Sequence, residues 1–255
     1  MKVFFSSKVQ AVAFSFAALT ILLQIAWPLA STAGRVSLTS LSVLAFAAAS
    51  VTHFASVTSW TFALTRAAMV LIAGFILEYV GSATGLLFGD YDYTEKLQPQ
   101  LLGVPVAVML AWFMMAWPAA FASHYVSARR WVRAVFGGAL MMSWDFFLDP
   151  QMVGENYWQW RGDALALPGI PGIPLSNYAC WFLAGSLLIA LIDSPHKFAL
   201  RDSFVPALLL GWTWFGGVVG HGVFWSRPGA AAWGGLAMGL LLATAIRNAR
   251  RAPRE

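Results

Sequence analysis

Hydrophobic residues make up 59% of this 255-residue chain and charged residues only 11%. A soluble domain usually carries about a quarter charged residues, so the composition excludes one and indicates a polytopic membrane protein. The net charge of +5 would suit nucleic acid in a soluble protein. Here the basic residues fall in short loops and the C-terminal tail, so we expect anionic lipid headgroups and no nucleic acid as partners.

Apolar runs of roughly 18–22 residues can span a bilayer as helices. The sequence predicts eight, at about Val9–Leu29, Val36–Ser56, Leu64–Ser82, Leu102–Ala122, Trp131–Leu148, Gly172–Ile192, Phe204–Trp225 and Ala230–Ile246. None shows the period-two alternation of a barrel strand, so the predicted fold is an all-α transmembrane bundle, a single domain over residues 1–255. The first run has a rival reading as a signal peptide, since Lys2 and Lys8 precede it and Ser31-Thr32-Ala33 resembles a cleavage site. Its length and the late Trp27-Pro28 favour a retained helix.

Lys2, Lys8, Arg66, Arg129, Arg130, Arg133, Lys197, Arg201 and the Arg-rich tail (Arg247, Arg250, Arg251, Arg254) mark alternate connections. By the positive-inside rule both termini are expected in the cytoplasm, in a plasma membrane protein. The opposite face receives the loops around residues 83–101 and 149–171, with Asp90, Asp92, Glu95, Asp149, Glu155 and Asp163. Gly81-xxx-Gly85, Gly216-xxx-Gly220 and Gly235-xxx-Gly239 suit close helix packing.

This topology sends the polar residues to one end. Glu78 lies about one turn below the outer end of the third helix. Asp145 and Asp149 form an i,i+4 pair at the outer end of the fifth. Asn177 opens the sixth, and His221 reaches the same level on the seventh. An ionisable side chain at membrane depth costs about 2.5–3.5 kcal/mol on insertion scales and is a functional-site candidate. Plainer readings exist for three of them: Asp149-Pro150 as a helix terminus, Asn177 as an N-terminal turn residue, and His221 as a core histidine. His53 lies toward the other end and is left out. Tyr91, Tyr93, Trp158 and Trp160 are interfacial anchors by number, yet their closeness to the acidic loops also suits a substrate wall.

A carboxyl group in an apolar, poorly solvated pocket can stay protonated and serve as a general acid. A second carboxylate or a histidine can position water, and aromatic faces can stabilise a cation. These parts could protonate an isolated alkene and capture the carbocation with water, or serve a proton-coupled transporter. The residues alone stop at that fork. Cys180 is the lone cysteine and the four histidines (His53, His124, His196, His221) are scattered, which argues against a disulfide, a cysteine metal cage or a multi-histidine centre.

Several ordered motifs resemble the CruF-type carotenoid hydratases. They are Glu78-Tyr79-Val80-Gly81, Gly85-Leu86-Leu87-Phe88-Gly89-Asp90-Tyr91-Asp92-Tyr93-Thr94, Gly103-Val104-Pro105 and Ala111-Trp112-Phe113-Met114-Met115. Asp145-Phe146-Phe147-Leu148-Asp149-Pro150, Trp158-Gln159-Trp160 and Gly172-Ile173-Pro174-Leu175-Ser176-Asn177-Tyr178 with Trp181 complete the set, over roughly residues 70–190. The resemblance implies an integral membrane enzyme of carotenoid biosynthesis. It would add water across the terminal double bond of an acyclic end group, with protonation at C-2 and water capture at C-1, giving a tertiary alcohol. Lycopene-like, γ-carotene-like or bacterioruberin-precursor-like substrates would suit it. No flavin, haem or metal would be needed, and a downstream carotenoid-modifying enzyme such as a glycosyltransferase could be a partner.

On chemistry and position, Glu78 or Asp145 is the expected proton donor, and Asp149 with Asn177 holds the water. His221, Asp90, Tyr91, Tyr93, Trp158 and Trp160 are expected around the substrate or the water. The closest rival is a carotenoid end-group cyclase or isomerase, which would use the same acid but deprotonate the cation. A proton-coupled carrier of small lipophiles ranks next, because such carriers usually place their carboxylates near the midplane on broken helices or repeats.

Overall fold

The computed structural model describes residues 7–196 and 198–251. Lys2, Lys197 and Arg254, used above as topology markers, lie outside the described residues.

Eight long helices run in order: α1 (Lys8–Ala26), α2 (Thr32–Val57), α3 (Trp60–Thr84), α4 (Val106–Ser123), α5 (Arg130–Gly154), α6 (Leu175–Ile192), α7 (Phe204–Val219) and α8 (Pro228–Arg251). A 3-10 turn, Trp27–Leu29, extends α1, and a π-helical turn, Gly220–Phe224, extends α7. Seven of the eight, all but α5, are long and apolar enough to cross a membrane. At 25 residues α5 is also long enough, about 37 Å at 1.5 Å per residue. It differs in carrying Arg133, Asp145 and Asp149, all buried. The one long helix that falls short of the apolar spans is thus the one that supplies two of the candidate carboxylates.

Local chemistry sets the helix ends. Ser7, Ser31 and Ser59 cap α1, α2 and α3, each hydroxyl accepting the N–H of the residue three positions on and satisfying a donor the helix leaves free. Gly85, at φ +66°, ends α3 and returns its N–H to the Gly81 carbonyl at 2.8 Å.

Six short strands decorate one end and account for the boundary corrections. β1 (Tyr91–Tyr93) pairs antiparallel with β4 (Trp158–Trp160), Tyr91 facing Trp160 and Tyr93 facing Trp158. β2 (Gln100–Leu101) and β3 (Val104–Pro105) form a hairpin through Leu102 and Gly103, both at positive φ. β5 (Ala166–Leu167) pairs with β6 (Ile170–Pro174). The predicted starts of α4 at Leu102 and of α6 at Gly172 therefore fall in hairpins, because Pro105 and Pro174 hold extended backbone just before each helix. The predicted end of α5 at Leu148 is six residues too early. Pro150 is accommodated inside the helix among buried neighbours Asp149 and Met152, so Asp149 does not terminate it.

The central helix is α4, whose residues Ala111–Ser123 are all buried. Helices α5 and α6 approach closely, and a Cβ on Gly185 would lie 3.2 Å from the Gly138 Cα. This pair was not among the predicted packing glycines. Of those, Gly235 and Gly239 face Val218 and Trp214 of α7 as expected, whereas Gly81 lies against the Phe88 ring, Gly85 ends a helix, and a Cβ on Gly216 would meet only Trp212 of its own helix.

Alternating helix direction brings the α1–α2, α3–α4, α5–α6 and α7–α8 connections to one end. Arg35 and Glu155 pair there at 3.0 Å, and the Trp233 indole donates to the Pro168 carbonyl at 3.0 Å.

Candidate functional site

At that end Glu78 sits on the inner face of α3, 4% exposed, with donors on both oxygens. The β1–β4 ribbon folds back beneath the end of α3 and delivers two phenols. Tyr91 Oη donates to Glu78 Oε2 at 2.5 Å and Tyr93 Oη to the same atom at 2.6 Å. Trp112 Nε1, from the first turns of α4, donates to Oε1 at 2.8 Å. An unpartnered buried polar group costs roughly 2–7 kcal/mol, and these three bonds remove that penalty. Burial, and then the charge of Glu78, push both phenols well above the usual tyrosine range, so they remain donors.

A second carboxyl group lines the same cavity as Glu78. Asp149 Oδ1 accepts from Trp158 Nε1 at 3.0 Å and Oδ2 from Asn177 Nδ2 at 2.5 Å. Asn177 Nδ2 also reaches Asp145 Oδ2 at 2.8 Å, so one amide bridges the i,i+4 carboxyls of α5. The two aspartates thus share one neutral donor. Asp145 is 0% exposed and its Oδ1 has no hydrogen-bond partner, nor has the nearby Tyr178 Oη. Among the described residues, no lysine or arginine forms an ion pair with Glu78, Asp145 or Asp149.

The cavity offers about 70 Å³ to water-sized molecules, room for a few waters. Glu78, Asp149 and Asn177 line it together with Tyr91, Tyr93, Trp158, Trp160 and Trp181. The Trp160 indole is fixed by the Phe88 carbonyl at 2.9 Å. Trp181 stacks on Trp112 at 3.9 Å between ring centroids and meets Trp144 edge-on at 5.7 Å.

Eight of the ten residues expected at the site therefore meet around one cavity: seven line it and Asp145 stands directly behind Asp149. The other two lie elsewhere. The Asp90 side chain is 56% exposed and pairs with Arg161, which also binds Asp92. His221 is at the same end and fully buried, in the π-helical turn after α7. Its ring stacks on Phe147 and meets Trp225 edge-on, with no aligned partner on either nitrogen. Sequence reasoning missed Trp112, Trp181 and Tyr178 as site groups. All three stood inside quoted motifs, and Tyr178 directly follows Asn177. In a chain with 13 tryptophans, no single indole stands out.

Fold and site together define a polytopic helical membrane protein with two carboxyl groups lining an aromatic cavity and a third beside them, none ion-paired among the described residues. The chain belongs to the carotenoid biosynthesis protein family, whose sequence model matches residues 37–241 and so includes every residue of the site. It is also similar to the bisanhydrobacterioruberin hydratase of Haloarcula japonica, with 31% identity over 137 residues. That match covers 50% of this chain and 45% of the relative, so the chain spans less than half the length of that protein. No solved structure matches the chain. The family match extends to both sides of the roughly 70–190 over which the resemblance was read, into the first and last helical pairs.

Proposed function

We propose that the protein is a carotenoid 1,2-hydratase. Two carboxyl groups, Glu78 and Asp149, line one aromatic cavity, and this observation carries the reading. The hydratase named among its relatives supports it.

Asp149, held beside Asp145 by the shared Asn177 amide, donates its proton to C-2 of the terminal double bond. The tertiary cation left at C-1 lies among the faces of Trp158, Trp160 and Trp181, where a desolvated cation–π contact contributes about 2 kcal/mol or more. A water held by Glu78 adds through oxygen to C-1 and gives its proton to the Glu78 carboxylate. That proton returns to the aspartate pair through cavity water, so each turnover consumes one water and nothing else. Tyr91, Tyr93 and Trp112 hold Glu78 in place by donating to both of its oxygens. The termini face the cytoplasm, and the site opens on the far side of a plasma membrane.

The test is pigment analysis after expression in cells that accumulate lycopene or γ-carotene. A more polar pigment heavier by one water, with unchanged polyene absorption, is the expected product. A mass-neutral product with a new end group would replace hydration by cyclisation. Absence of any product from these substrates and from a longer acyclic one would remove the enzyme reading in favour of a lipophile carrier.

A further inference from the structure

The site cavity offers only about 70 Å³, so most of a carotenoid must lie outside it. A second and larger cavity, about 170 Å³, lies against it. Thr39, Val43, Met114, Leu148 and Met152 line both and form the wall between them. Two of these five are methionines, whose unbranched side chains re-pack readily.

The second cavity is walled by aromatic rings: Trp27, Phe46, Trp144, Phe147, Trp212 and Trp225. Two of their polar tips are already satisfied, Trp27 Nε1 by Thr39 at 2.9 Å and Trp212 Nε1 by Gln24 at 2.7 Å. Trp225 is held edge-on to Trp27 at 5.5 Å and to His221 at 4.9 Å by the π-helical turn. That turn and His221, which the reaction does not use, thus serve to build this wall. Its side between α1 and α7 is formed by half-buried residues, Gln24 on α1 and Thr213 and Gly216 on α7. Gly216 leaves room there, since an added Cβ would touch only Trp212, at 3.7 Å. Gly217 beside it is closed off by the Phe147 ring.

We propose that this second cavity is the binding channel for the conjugated polyene of the substrate. The chain enters from the lipid between α1 and α7, runs over the aromatic wall, and passes Met114 and Met152 to present its end group to Glu78 and Asp149. The proposal rests on the carotenoid reading of the first cavity, but it concerns binding rather than reaction. Ser42 Oγ, which lines the channel without a hydrogen-bond partner, leaves a polar spot that a water beside the polyene can fill.

Gly216→Phe places a ring in the channel, and Gly216→Ala adds only the Cβ that fits. Purified protein in lipid nanodiscs is titrated with lycopene and with a ten-carbon hydrocarbon bearing the same terminal isopropylidene group. Binding is read from the induced circular dichroism of the polyene and, for the short ligand, by displacement of lycopene. Lycopene should bind the wild type and Gly216→Ala alike and Gly216→Phe at least about tenfold more weakly. Affinity for the short ligand should change far less. Equal lycopene binding by all three proteins overturns the channel. So does equal weakening of both ligands, which would mean a general disturbance of the site. Wild-type protein that binds lycopene through this channel yet never hydrates any carotenoid would sink the reaction and leave the channel standing.

Discussion

The two ends of the bundle bury their acidic groups in opposite ways. At the end away from the site, Asp193 follows α6 and is 4% exposed. Arg133 grips it through Nε at 2.8 Å and Nη2 at 2.6 Å, with Arg130 at 3.0 Å and His124 at 3.2 Å. Burial alone would raise its pKa, but hydrogen bonds and charge from His124 and Arg133 outweigh that and hold it well below the usual carboxylate range. Nearby, His53 is locked between the Trp117 indole at 3.0 Å and the Asp202 carbonyl at 2.8 Å. At the site end, Glu78 and Asp149 receive only neutral donors from Tyr, Trp and Asn. A cation fixes a carboxylate as a charge, whereas neutral donors hold its position and leave its proton exchangeable. The first arrangement fastens helices and the second suits proton transfer.

The comparison is broken most easily by exchanging carboxyls for amides. Glu78→Gln or Asp149→Asn should lower carotenoid conversion by about 10²–10⁴-fold, the usual contribution of a positioned acid or base, with thermal unfolding little changed. Pigment yield per unit of folded membrane protein measures it, and normal yield from both variants would remove them from the chemistry. Asp193→Asn should do the reverse. Removing one partner of a buried ion pair costs about 3–5 kcal/mol, so the melting temperature in detergent should drop while conversion per folded molecule is retained. The pH dependence sharpens this. A depressed pKa in the folded state stabilises fully above the ordinary aspartate value near 4, and that stability is lost as pH falls through the folded value. Wild-type protein should therefore lose thermal stability in strong acid, and Asp193→Asn should flatten that acid limb.

The bundle was legible because membrane spans are written as long apolar runs, and the convergence of Glu78, Asp145, Asp149 and Asn177 followed from helix direction alone. Two things were not legible. The β1–β4 ribbon uses three residues on each strand, too few for a periodic signal, yet it brings Tyr91 and Tyr93 onto Glu78 and Trp158 onto Asp149. The extension of α5 through Pro150 was hidden for a different reason: proline's local preference opposes helix, and only the packing of the finished bundle overrides it. His221 shows the limit of reasoning by level. It arrives at the predicted height but on a π-helical turn that directs it toward Phe147 and Trp225.

A smaller effect is expected from the donors that hold Glu78. Tyr93→Phe removes one of its three hydrogen bonds, and a loss of about 1–1.5 kcal/mol of positioning corresponds to roughly tenfold in conversion. The same kinetic assay checks it, and a loss as large as that of Glu78→Gln would make the phenol itself the proton carrier.

The smallest effect concerns Asp90, which adjoins Tyr91 in sequence and belongs to the same motif. Its side chain is 56% exposed and its partner Arg161 is 61% exposed, at 3.4 Å. Exposed pairs of this kind contribute about 0–1 kcal/mol. Asp90→Asn should therefore leave both melting temperature and conversion within about twofold of wild type. The strand alternation explains why neighbours differ so sharply: Tyr91 and Tyr93 point into the bundle while Asp92, between them, points out to Arg161. Were Asp90→Asn to abolish conversion as Glu78→Gln should, the division between an inward proton-handling face and an outward ion-paired face of this loop would be wrong. The exposed acidic edge would then have to take part in admitting water or substrate.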